Sequence, residues 1–570
     1  MRYYALACDY DGTIATHGRV DENTLKALES VRSSGRKLIL VTGRELDDLS
    51  QVFPHLALFD RVVAENGALL YRPATREQLP LGEPPPERFV QLLREKEVRP
   101  LSVGRVIVAT WEPNETTVLE AIHTLGLELQ VIFNKGAVMV LPAGVNKATG
   151  LSAALSELGL SPHNAVGVGD AENDHAFLSL CECSAAVANA LPMLKERADF
   201  VTPSDHGAGV IELIEQLIES DLSGIEAALR RHEILLGTRK DGEEVRLKPY
   251  GESILIGGTS GGGKSTLAMG ILERLAEKTY QFAIIDPEGD YESFAGAVVL
   301  GDSRRAPALK EIIELLENPA QNAVINLLGV GIENRPAYFE ELLPQLQALR
   351  ARTGRPHWIV LDETHHLLPS NWDPTALTVP TELRGMILIT VHPDHVSPAV
   401  LSSVDIILAI GESPEKTIAG FAETLGQPPP AVAPVKLEPG EAVGWFRRTG
   451  MEPFWFRSIP PRADRRRHLR KYAEGELGED KSFYFRGPND ALNLRAQNLF
   501  LFLQIADGVD DETWMHHLRQ GDYSRWFREA IKDDRLADEA ERIEAMPEVG
   551  PKESRALIRA AIEEIYTAPA

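Results

Sequence analysis

A glycine-rich stretch in the middle of the chain constrains its fold more than any other feature. The sequence "GTSGGGKS" at residues 258–265 matches the pattern G-x-x-x-x-G-K-[ST]. It follows the apolar run "SILI" and precedes "TLAMGILERL", whose apolar spacing predicts a helix. A loop between a strand and a helix can wrap phosphates with backbone N–H groups at the helix N-terminus. The sequence therefore predicts an α/β domain that binds ATP through this loop.

Two side chains of this loop have defined chemical tasks. Lys264 can reach the β- and γ-phosphates, and Ser265 can ligate Mg²⁺. A glycine-rich linker is the alternative interpretation, but a linker needs neither the preceding strand nor the following helix. The candidate nucleotide-binding residues of the loop are Gly258, Thr259, Ser260, Gly261, Gly262, Gly263, Lys264, Ser265 and Thr266.

A second apolar run, "HWIVLDE", ends in two acidic residues. Asp362 can hold Mg²⁺ through water, and Glu363 can orient and deprotonate an attacking water. A kinase must avoid such a carboxylate, because water would compete with its acceptor. The pair therefore favours ATP hydrolysis, with a solvated loop acid as the alternative for Glu363. His365 and His366, which follow, are interpreted as loop residues near the ATP site.

Polar residues also follow apolar runs in the N-terminal part of the chain. Asp9 and Asp11 follow "YYALAC", Thr42 ends "LILVT", and Asp170 follows "AVGVG". Parallel strands bring such residues to one sheet edge, where open α/β folds bind ligands. Clustered carboxylates need a cation, and Mg²⁺ takes carboxylates together with phosphate oxygens. Lys147 can neutralise phosphate charge, so the sequence predicts a magnesium-dependent phosphate site, with a simple turn as the alternative for "DYDGT".

The motifs "DYDGT", "VTGR", "NKATG" and "GDAEND" resemble, in this order, the four motifs of the haloacid dehalogenase (HAD) superfamily of phosphatases. "ENGA" at residues 65–68 is similar to the Cof-like subgroup, whose cap is inserted between the second and third motifs. The resemblance implies a HAD Rossmann-like domain with an inserted α+β cap at about residues 71–141. Arg44 and Glu65, which belong to these motifs, have an ion pair within the domain as their alternative interpretation.

The same resemblance implies an aspartyl-phosphate mechanism. Asp9 would be the nucleophile, and Asp11 would protonate the leaving alcohol and then activate water. Thr42 and Lys147 would hold the phosphoryl group. The candidate metal ligands at the two phosphate sites are Asp9, Asp11, Asp170, Asn173, Asp174, Ser265 and Asp362.

The second half of the chain resembles the HerA branch of the HerA/FtsK-like motor ATPases through "AIIDPEGDY" and "MILITVHP". The resemblance implies a RecA-like P-loop α/β domain in which Asp286 and Glu288 lie near the nucleotide. His392 stands where the family has a polar sensor, commonly Gln. The family usually forms hexameric rings in which a neighbour's arginine completes each site, and the candidates are Arg335, Arg350, Arg352 and Arg384.

Two other P-loop families fit less well. Transport ATPases of the ABC type carry an L-S-G-G-Q-like sequence, which this chain does not contain. Polynucleotide kinase–phosphatases also join a HAD unit to a P-loop, but the acidic pair in "LDE" argues against a kinase.

The charge of the chain bears on its partners. Its formal net charge is −25, and residues 221–460 carry 22 lysines and arginines against 32 aspartates and glutamates. An acidic surface repels nucleic acid unless basic residues gather locally. The one candidate patch is the run "RRRHLRK" and its neighbours at residues 462–471, for which we prefer a solvated linker or a docking strip. Binding of nucleic acid is therefore not favoured.

Cys8, Cys181 and Cys183 are too few for a disulfide scaffold, so we expect a reducing, cytoplasmic environment. No apolar run is long enough to predict a transmembrane helix. Trp514, Trp526 and Phe527 are interpreted as core residues of a C-terminal helical region.

The predicted organisation is a phosphatase domain at residues 1–220, a P-loop ATPase domain at 221–460 and a helical domain at 461–570. The predicted function is a magnesium-dependent phosphomonoester phosphatase joined to an ATPase that oligomerises or regulates it. One alternative is a nucleic-acid end-processing or translocating enzyme, and another is a nucleotide-gated regulatory assembly.

Overall fold

The computed structural model describes residues 1–259, 261–372, 384–432, 434–462, 477, 482–488, 492–531, 533–547 and 549–565. Two compact units form. The larger contains residues 1–287 and 295–462, and the smaller contains residues 288–294 and 463–570. Within the described residues, no helix is both long and apolar enough to cross a membrane.

The first part of the larger unit alternates strands and helices. The strands are β1 (Ala5–Asp9), β2 (Lys37–Val41), β3 (Arg61–Ala64), β4 (Leu69–Arg72), β5 (Glu77–Pro80), β6 (Ser102–Val103), β7 (Val108–Trp111), β8 (Leu129–Asn134), β9 (Ala137–Pro142), β10 (Ala165–Gly169), β11 (Cys183–Ala186) and β12 (Phe200–Val201). The helices are α1 (Glu22–Ser33), α2 (Leu46–Val52), α3 (Glu87–Glu95), α4 (Glu115–Leu125), α5 (Lys147–Glu157), α6 (His175–Leu180), α7 (Pro192–Arg197) and α8 (His206–Ser220).

Eight of these strands form one sheet, in the order β12-β11-β10-β1-β2-β3-β4-β5. β1 lies between β10 and β2 and is parallel to both. All five of its residues are buried, which explains why it reads as a continuous apolar run ending in an aspartate. The three cysteines are buried and free, as expected for packing residues.

A separate four-stranded antiparallel sheet, in the order β6-β7-β9-β8, lies between β5 and α5 in the chain. Helices α3 and α4 cover one of its faces, where Phe89, Leu93 and Val118 pack against Val138 and the neighbouring strand residues. The Pro-rich stretch "RPATREQLPLGEPPPERF" at residues 72–89, which precedes this sheet, has the composition of a loop. It nevertheless contains β5, which pairs with β4 of the first sheet, and the start of α3. Local composition misses this strand because its pairing partner lies outside the stretch.

The second part of the larger unit contains the glycine-rich loop. Its strands are β13 (Ile234–Thr238), β14 (Glu244–Leu247), β15 (Ile254–Gly258), β16 (Phe282–Asp286), β17 (Val298–Leu300), β18 (Ala323–Asn326), β19 (Trp358–Leu361), β20 (Met386–Thr390), β21 (Ile406–Ile410), β22 (Glu441–Phe446) and β23 (Phe454–Ser458). The helices are α9 (Lys264–Glu277), α10 (Leu309–Glu317), α11 (Arg335–Thr353), α12 (Pro398–Leu401) and α13 (Pro414–Thr424).

These strands form one sheet in the order β14-β13-β23-β22-β21-β15-β20-β19-β16-β18-β17. The strands from β21 to β17 are parallel, and β22, β23, β13 and β14 extend the sheet in antiparallel fashion. β20 lies between the strand that carries the glycine-rich loop, β15, and the strand that carries the acidic pair, β19. The carboxyl ends of β15, β20 and β19 are therefore adjacent at one edge of the sheet.

The smaller unit contains the strands β24 (Phe483–Phe485) and β25 (Leu494–Ala496) and the helices α14 (Leu499–Gly508), α15 (Asp511–Gln520), α16 (Asp522–Glu529), α17 (Asp534–Glu544) and α18 (Pro551–Ile565). Trp514, Trp526 and Phe527 are core residues, as expected. The apolar spacing around β25 predicts a helix, but these residues pair with β24 instead. Apart from Arg462, the basic run at residues 462–471 lies outside the described residues.

The eight-stranded and the eleven-stranded sheet of the larger unit meet through a buried polar cluster. Glu182, directly before β11, accepts hydrogen bonds from Arg2 (2.5 Å) and from the hydroxyl of Tyr280 (2.7 Å), which precedes β16. His163 lies 2.7 Å from the same carboxylate and stacks on the Tyr280 ring at 3.7 Å. Despite the opposing effect of burial, His163 and Arg2 hold the pKa of Glu182 well below its usual range. The cluster thus fixes a carboxylate where the amino ends of both sheets face each other.

His232 borders this cluster and gives it a testable pH dependence. Burial lowers the pKa of His232 to about 4, although the Glu182 carboxylate acts in the opposite direction. Because the unfolded chain binds a proton near pH 6.5 and the folded chain does not, stability should fall as the pH drops from about 6.5 towards 4. We predict that His232→Gln reduces the slope of the thermal midpoint over this range, measured by differential scanning calorimetry. An unchanged slope, or an equal effect of His123→Gln on the exposed surface, would contradict this assignment.

Candidate active sites

Asp9 anchors the first site at the carboxyl end of β1. Its side chain is buried, and β1 pairs with β2 and β10 on either side. Burial first, and then the neighbouring Asp174 carboxylate, raise the pKa of Asp9 to about 8, although Lys147 acts in the opposite direction. An ionised Asp9 at neutral pH therefore depends on cations close to it.

Lys147 supplies one such cation from the first turn of α5. Asn146 caps this helix, and its side chain accepts hydrogen bonds from the N–H groups of Ala148 and Thr149. The ammonium group lies 2.6 Å from Asp9 Oδ1 and 2.6 Å from Asp174 Oδ1. Burial lowers the pKa of Lys147, but the two carboxylates outweigh it and raise the pKa above its usual value.

Asp9, Asp170 and Asp174 form a cluster in which one oxygen of each lies within 4.8 Å of the others. Asp174 is held by the N–H groups of Asp170 (2.8 Å) and Ala171 (2.9 Å). Asn173 donates to Asn66 at 3.0 Å, while its own Oδ1 is buried and has no hydrogen-bond partner. Clustered carboxylates with an available amide oxygen are the ligands that a hard cation such as Mg²⁺ takes. The residues present therefore fit a divalent cation.

Asp11 does not join this cluster. Its carboxylate accepts two hydrogen bonds from Arg44, at 2.6 and 2.7 Å, and Arg44 also binds Asp48. The side chain of Asp11 is half-exposed and faces the cleft. Thr42, buried at the end of β2, accepts a hydrogen bond from the N–H of Arg44. The predicted residues thus separate into an inner set around Asp9 and an outer pair, Asp11 and Arg44.

A cleft of about 660 Å³ separates this edge from the inserted sheet. Glu65 links the two parts, because its carboxylate accepts hydrogen bonds from the N–H groups of Val106 (2.7 Å) and Ile107 (3.0 Å). Lys135, at the tip of the inserted sheet, reaches across and binds Asp170 at 2.8 Å. Sequence analysis missed Lys135. "NKG" between two alternating runs indicates a hairpin, but nothing local shows where its tip lies.

The second site lies where β15 meets α9. Gly258, Gly261 and Gly263 have positive φ values of 147°, 76° and 98°. A Cβ at Gly258 would lie 2.1 Å from the carbonyl oxygen of Ile410, so only glycine fits there. Lys264 donates hydrogen bonds to the carbonyls of Gly258 (3.0 Å) and Thr259 (3.2 Å). Gly262 lies in the same loop, and Ser265 and Thr266 lie in the first turn of α9. Ser260 lies outside the described residues.

The acidic pair lies two strands away, at the end of β19. Asp362 is buried, and Glu363 has a left-handed backbone with φ of 41°. His365 lies 3.5 Å from the Glu363 carboxylate and 3.1 Å from the hydroxyl of Thr390, which ends β20. Burial, followed by neighbouring histidines, lowers the pKa of His365 to about 4, so its ring is neutral at pH 7.

The remaining candidates of the second half have different positions. Asp286 ends β16, which pairs with β19, so it shares the functional edge. His392 follows β20, its N–H donates to Thr390 at 3.1 Å, and its ring centroid lies 6.1 Å from that of His365. Glu288 belongs to the smaller unit.

The four candidate arginines also differ. Arg350 is half-buried and donates to the carbonyls of Pro356 (2.8 Å) and Arg384 (2.6 Å) in its own chain. Arg335 is buried and donates to the carbonyl of Val330 at 3.2 Å. Arg352 and Arg384 are exposed, and Arg352 lies 2.6 Å from Glu317. Exposure therefore favours Arg352 and Arg384 as residues that another chain could meet.

The fold and these strand-end residues define an α/β enzyme with a second, nucleotide-binding P-loop domain. Residues 6–101 and 112–214 match the family model of haloacid dehalogenase-like hydrolases, and residues 244–351 match that of the central domain of helicase HerA. The chain belongs to the haloacid dehalogenase-like hydrolases and carries a HerA-type P-loop domain, so the predicted fusion is confirmed.

Two curated relatives of the first part are named phosphoglycolate phosphatase. A phosphoglycolate phosphatase of Methanothermobacter thermautotrophicus is 30% identical over 223 residues, which are 38% of this chain and 98% of the relative. Another, from Haloarcula marismortui, is 31% identical over 218 residues, or 37% and 95% of the two chains. A solved HAD/Cof-like hydrolase from Plasmodium vivax has 21% identity and a TM-score of 0.34, and the match covers 39% of this chain and 97% of that one.

Gly12 provides a test of the carboxylate cluster. Its φ is +91°, and a Cβ there would lie 2.3 Å from Asp170 Oδ2. We predict that Gly12→Ala displaces Asp170 and lowers the rate of p-nitrophenyl phosphate hydrolysis about 100-fold, because a shift of about 1 Å has this order of effect. Gly35→Ala is the matched control, since Gly35 has φ of +86° with nothing within 4 Å. Equal activity of the two variants would exclude the steric role.

Proposed function

We propose that the N-terminal domain is a magnesium-dependent phosphomonoester phosphatase that acts through an aspartyl-phosphate. The observation that carries this proposal is the buried contact of Lys147 with Asp9 and Asp174, next to Asp170. In this assignment, Asp9, Asp170 and Asp174 hold the cation, and the Oδ1 of Asn173 supports it. A bound Mg²⁺ would offset the negative charge that these carboxylates and the phosphoryl group bring together.

The proposed reaction has two displacements at phosphorus. Asp9 attacks the phosphoryl group, and the bond to the alcohol oxygen breaks as Asp11 gives that oxygen a proton. Asp11 then takes a proton from water, which attacks the aspartyl-phosphate and releases inorganic phosphate. Thr42 and Lys147 orient the phosphoryl oxygens. Arg44 holds Asp11 at the cleft, where it can reach a leaving alcohol.

The proposed substrate class is small phosphomonoesters, with phosphoglycolate as its first member. Support comes from the relatives named phosphoglycolate phosphatase, which match the chain over residues within the first domain. The inserted segment, predicted at about residues 71–141, begins with α3 because β5 still belongs to the first sheet, and it acts as the cap that selects the substrate. This role is supported by the cleft between Asp11 and the inserted sheet residue Trp111.

Asp9→Asn tests the assigned nucleophile. An amide is a poor nucleophile and cannot form the acyl phosphate, so we predict a loss of phosphoglycolate hydrolysis on the order of 1000-fold or more. Phosphate release under saturating Mg²⁺ is the measurement. Asp241→Asn, in the exposed turn between β13 and β14, is the control and should retain wild-type turnover. Full activity of Asp9→Asn would rule out the mechanism.

We further propose that residues 221–460 form an ATPase domain, followed by a C-terminal domain at 461–570. Lys264, Ser265 and Asp362 would hold Mg-ATP, and Glu363 would activate the attacking water. His365, neutral and close to Glu363 and Thr390, would orient the glutamate. Assembly into an oligomer, with Arg352 or Arg384 meeting a neighbour's nucleotide, completes the proposal.

Glu363→Gln tests water activation. The amide preserves the size of the side chain but cannot accept a proton, so ATP turnover should fall about 100-fold or more. ATP binding should persist, and both are measured on the full chain, by phosphate release and by fluorescent-nucleotide titration. Glu314→Gln, an exposed position on α10, is the control. If wild type and Glu363→Gln are equally inactive, the domain binds nucleotide without hydrolysing it.

A further inference from the structure

Lys135 occupies an unusual backbone position at the tip of the inserted sheet. Asn134 and Ala137 pair across a two-residue turn made of Lys135 and Gly136, whose φ values are +49° and +87°. Such turns favour Asn-Gly, because both central residues need positive φ. A lysine in this conformation is strained, and strain of this kind concentrates at functional positions.

The ammonium group of Lys135 ends inside the cleft. It donates hydrogen bonds to Asp170 Oδ2 at 2.8 Å and to the carbonyl oxygen of Asp11 at 3.4 Å. About half of the lysine side chain is exposed, whereas the Asp170 side chain is 4% exposed. The inserted sheet therefore delivers a positive charge to a buried carboxylate of the catalytic edge.

Three cationic side chains line the cleft, and their partners differ. Lys147 is shared by Asp9 and Asp174, and Arg44 is shared by Asp11 and Asp48. Lys135 instead pairs with Asp170, which is also a proposed ligand of the divalent cation. Neither Lys147 nor Arg44 forms an ion pair with Asp170. An ammonium group and a divalent cation on one carboxylate repel each other. Binding of the metal to Asp170 would therefore release the charge of Lys135 into the cleft.

We propose that Lys135 is an exchangeable cation that leaves Asp170 when a divalent metal binds and then pairs with the carboxylate of the substrate. This inference rests on the proposed phosphatase function and specifies its substrate class: phosphomonoesters with an anionic group one or two atoms beyond the ester oxygen. A phosphoryl group at Asp9 leaves only a methylene between the ester oxygen of phosphoglycolate and its carboxylate. The side chain of Lys135 is flexible and already lies in the cleft, so its ammonium group can approach a carboxylate that is this close to the phosphoryl group.

Lys135→Asn is the variant of choice, because Asn-Gly suits the turn and the change removes the charge without opposing the backbone conformation. Lys96→Asn is the matched control, since Lys96 is on the same inserted segment and pairs with Glu120 at 3.0 Å. Lys135→Arg retains the charge. Thermal unfolding of all three variants checks that the domain remains folded.

The first measurement uses metal alone. Mn²⁺ binding to the full chain is followed by isothermal titration calorimetry without substrate. Removing the competing ammonium should tighten Mn²⁺ binding to Lys135→Asn about three- to tenfold, whereas Lys96→Asn should match wild type. Equal or weaker binding by Lys135→Asn would show that the lysine does not compete with metal and would overturn the exchange.

The second measurement compares two substrates at saturating Mg²⁺. Ethyl phosphate lacks the carboxylate of phosphoglycolate, so the ratio of their kcat/KM values reports recognition of that group. The ratio should fall about 10- to 100-fold in Lys135→Asn, which is the usual range for a charge-assisted hydrogen bond, and recover mostly in Lys135→Arg. An unchanged ratio would overturn carboxylate recognition even if both rates fall. Wild-type inactivity on both substrates would instead reject the proposed function, and with it the substrate half of this inference, while Mn²⁺ binding still decides the exchange.

Discussion

The buried contact of Lys147 with Asp9 and Asp174 is the interaction on which the N-terminal domain depends. An ammonium group removed from water is stable only beside carboxylates, and these carboxylates are equally costly to bury without the lysine. Asp174 is fixed in turn by two backbone N–H groups of the loop after β10. Three segments distant in the chain therefore meet at one buried charge, so the arrangement of the candidate catalytic residues is also a packing contact of the domain.

The nucleotide-binding half places its polar residues in the same way but relies on close backbone packing. Gly258 lies against the carbonyl of Ile410 in the adjacent β21, which leaves no room for a side chain. β20 then separates the loop from Glu363 and contributes Thr390 between them. The HAD-like site is thus organised by paired charges, and the P-loop site is organised by strand order and by the absence of side chains.

Residues that directly follow buried strands could be predicted from the sequence, because an apolar run that ends in a polar residue is typical of a strand reaching the edge of a sheet. Asp9, Thr42, Asp170 and Asp362 are of this kind. The contact of Lys135 with Asp170 could not be predicted, since it joins two sheets and depends on where a hairpin tip lies. The same limit accounts for the missed strands β5 and β25, whose pairing partners lie outside the local pattern.

The Glu182 cluster places the amino ends of both sheets against each other, while both sets of candidate catalytic residues lie at carboxyl ends. The two sites therefore open in opposite directions, with the full length of both sheets between them. Strand direction therefore separates the two sites within one chain. The contact of Tyr280, before β16, with Glu182, before β11, links the two sheets at the ends that lie farthest from the candidate catalytic residues.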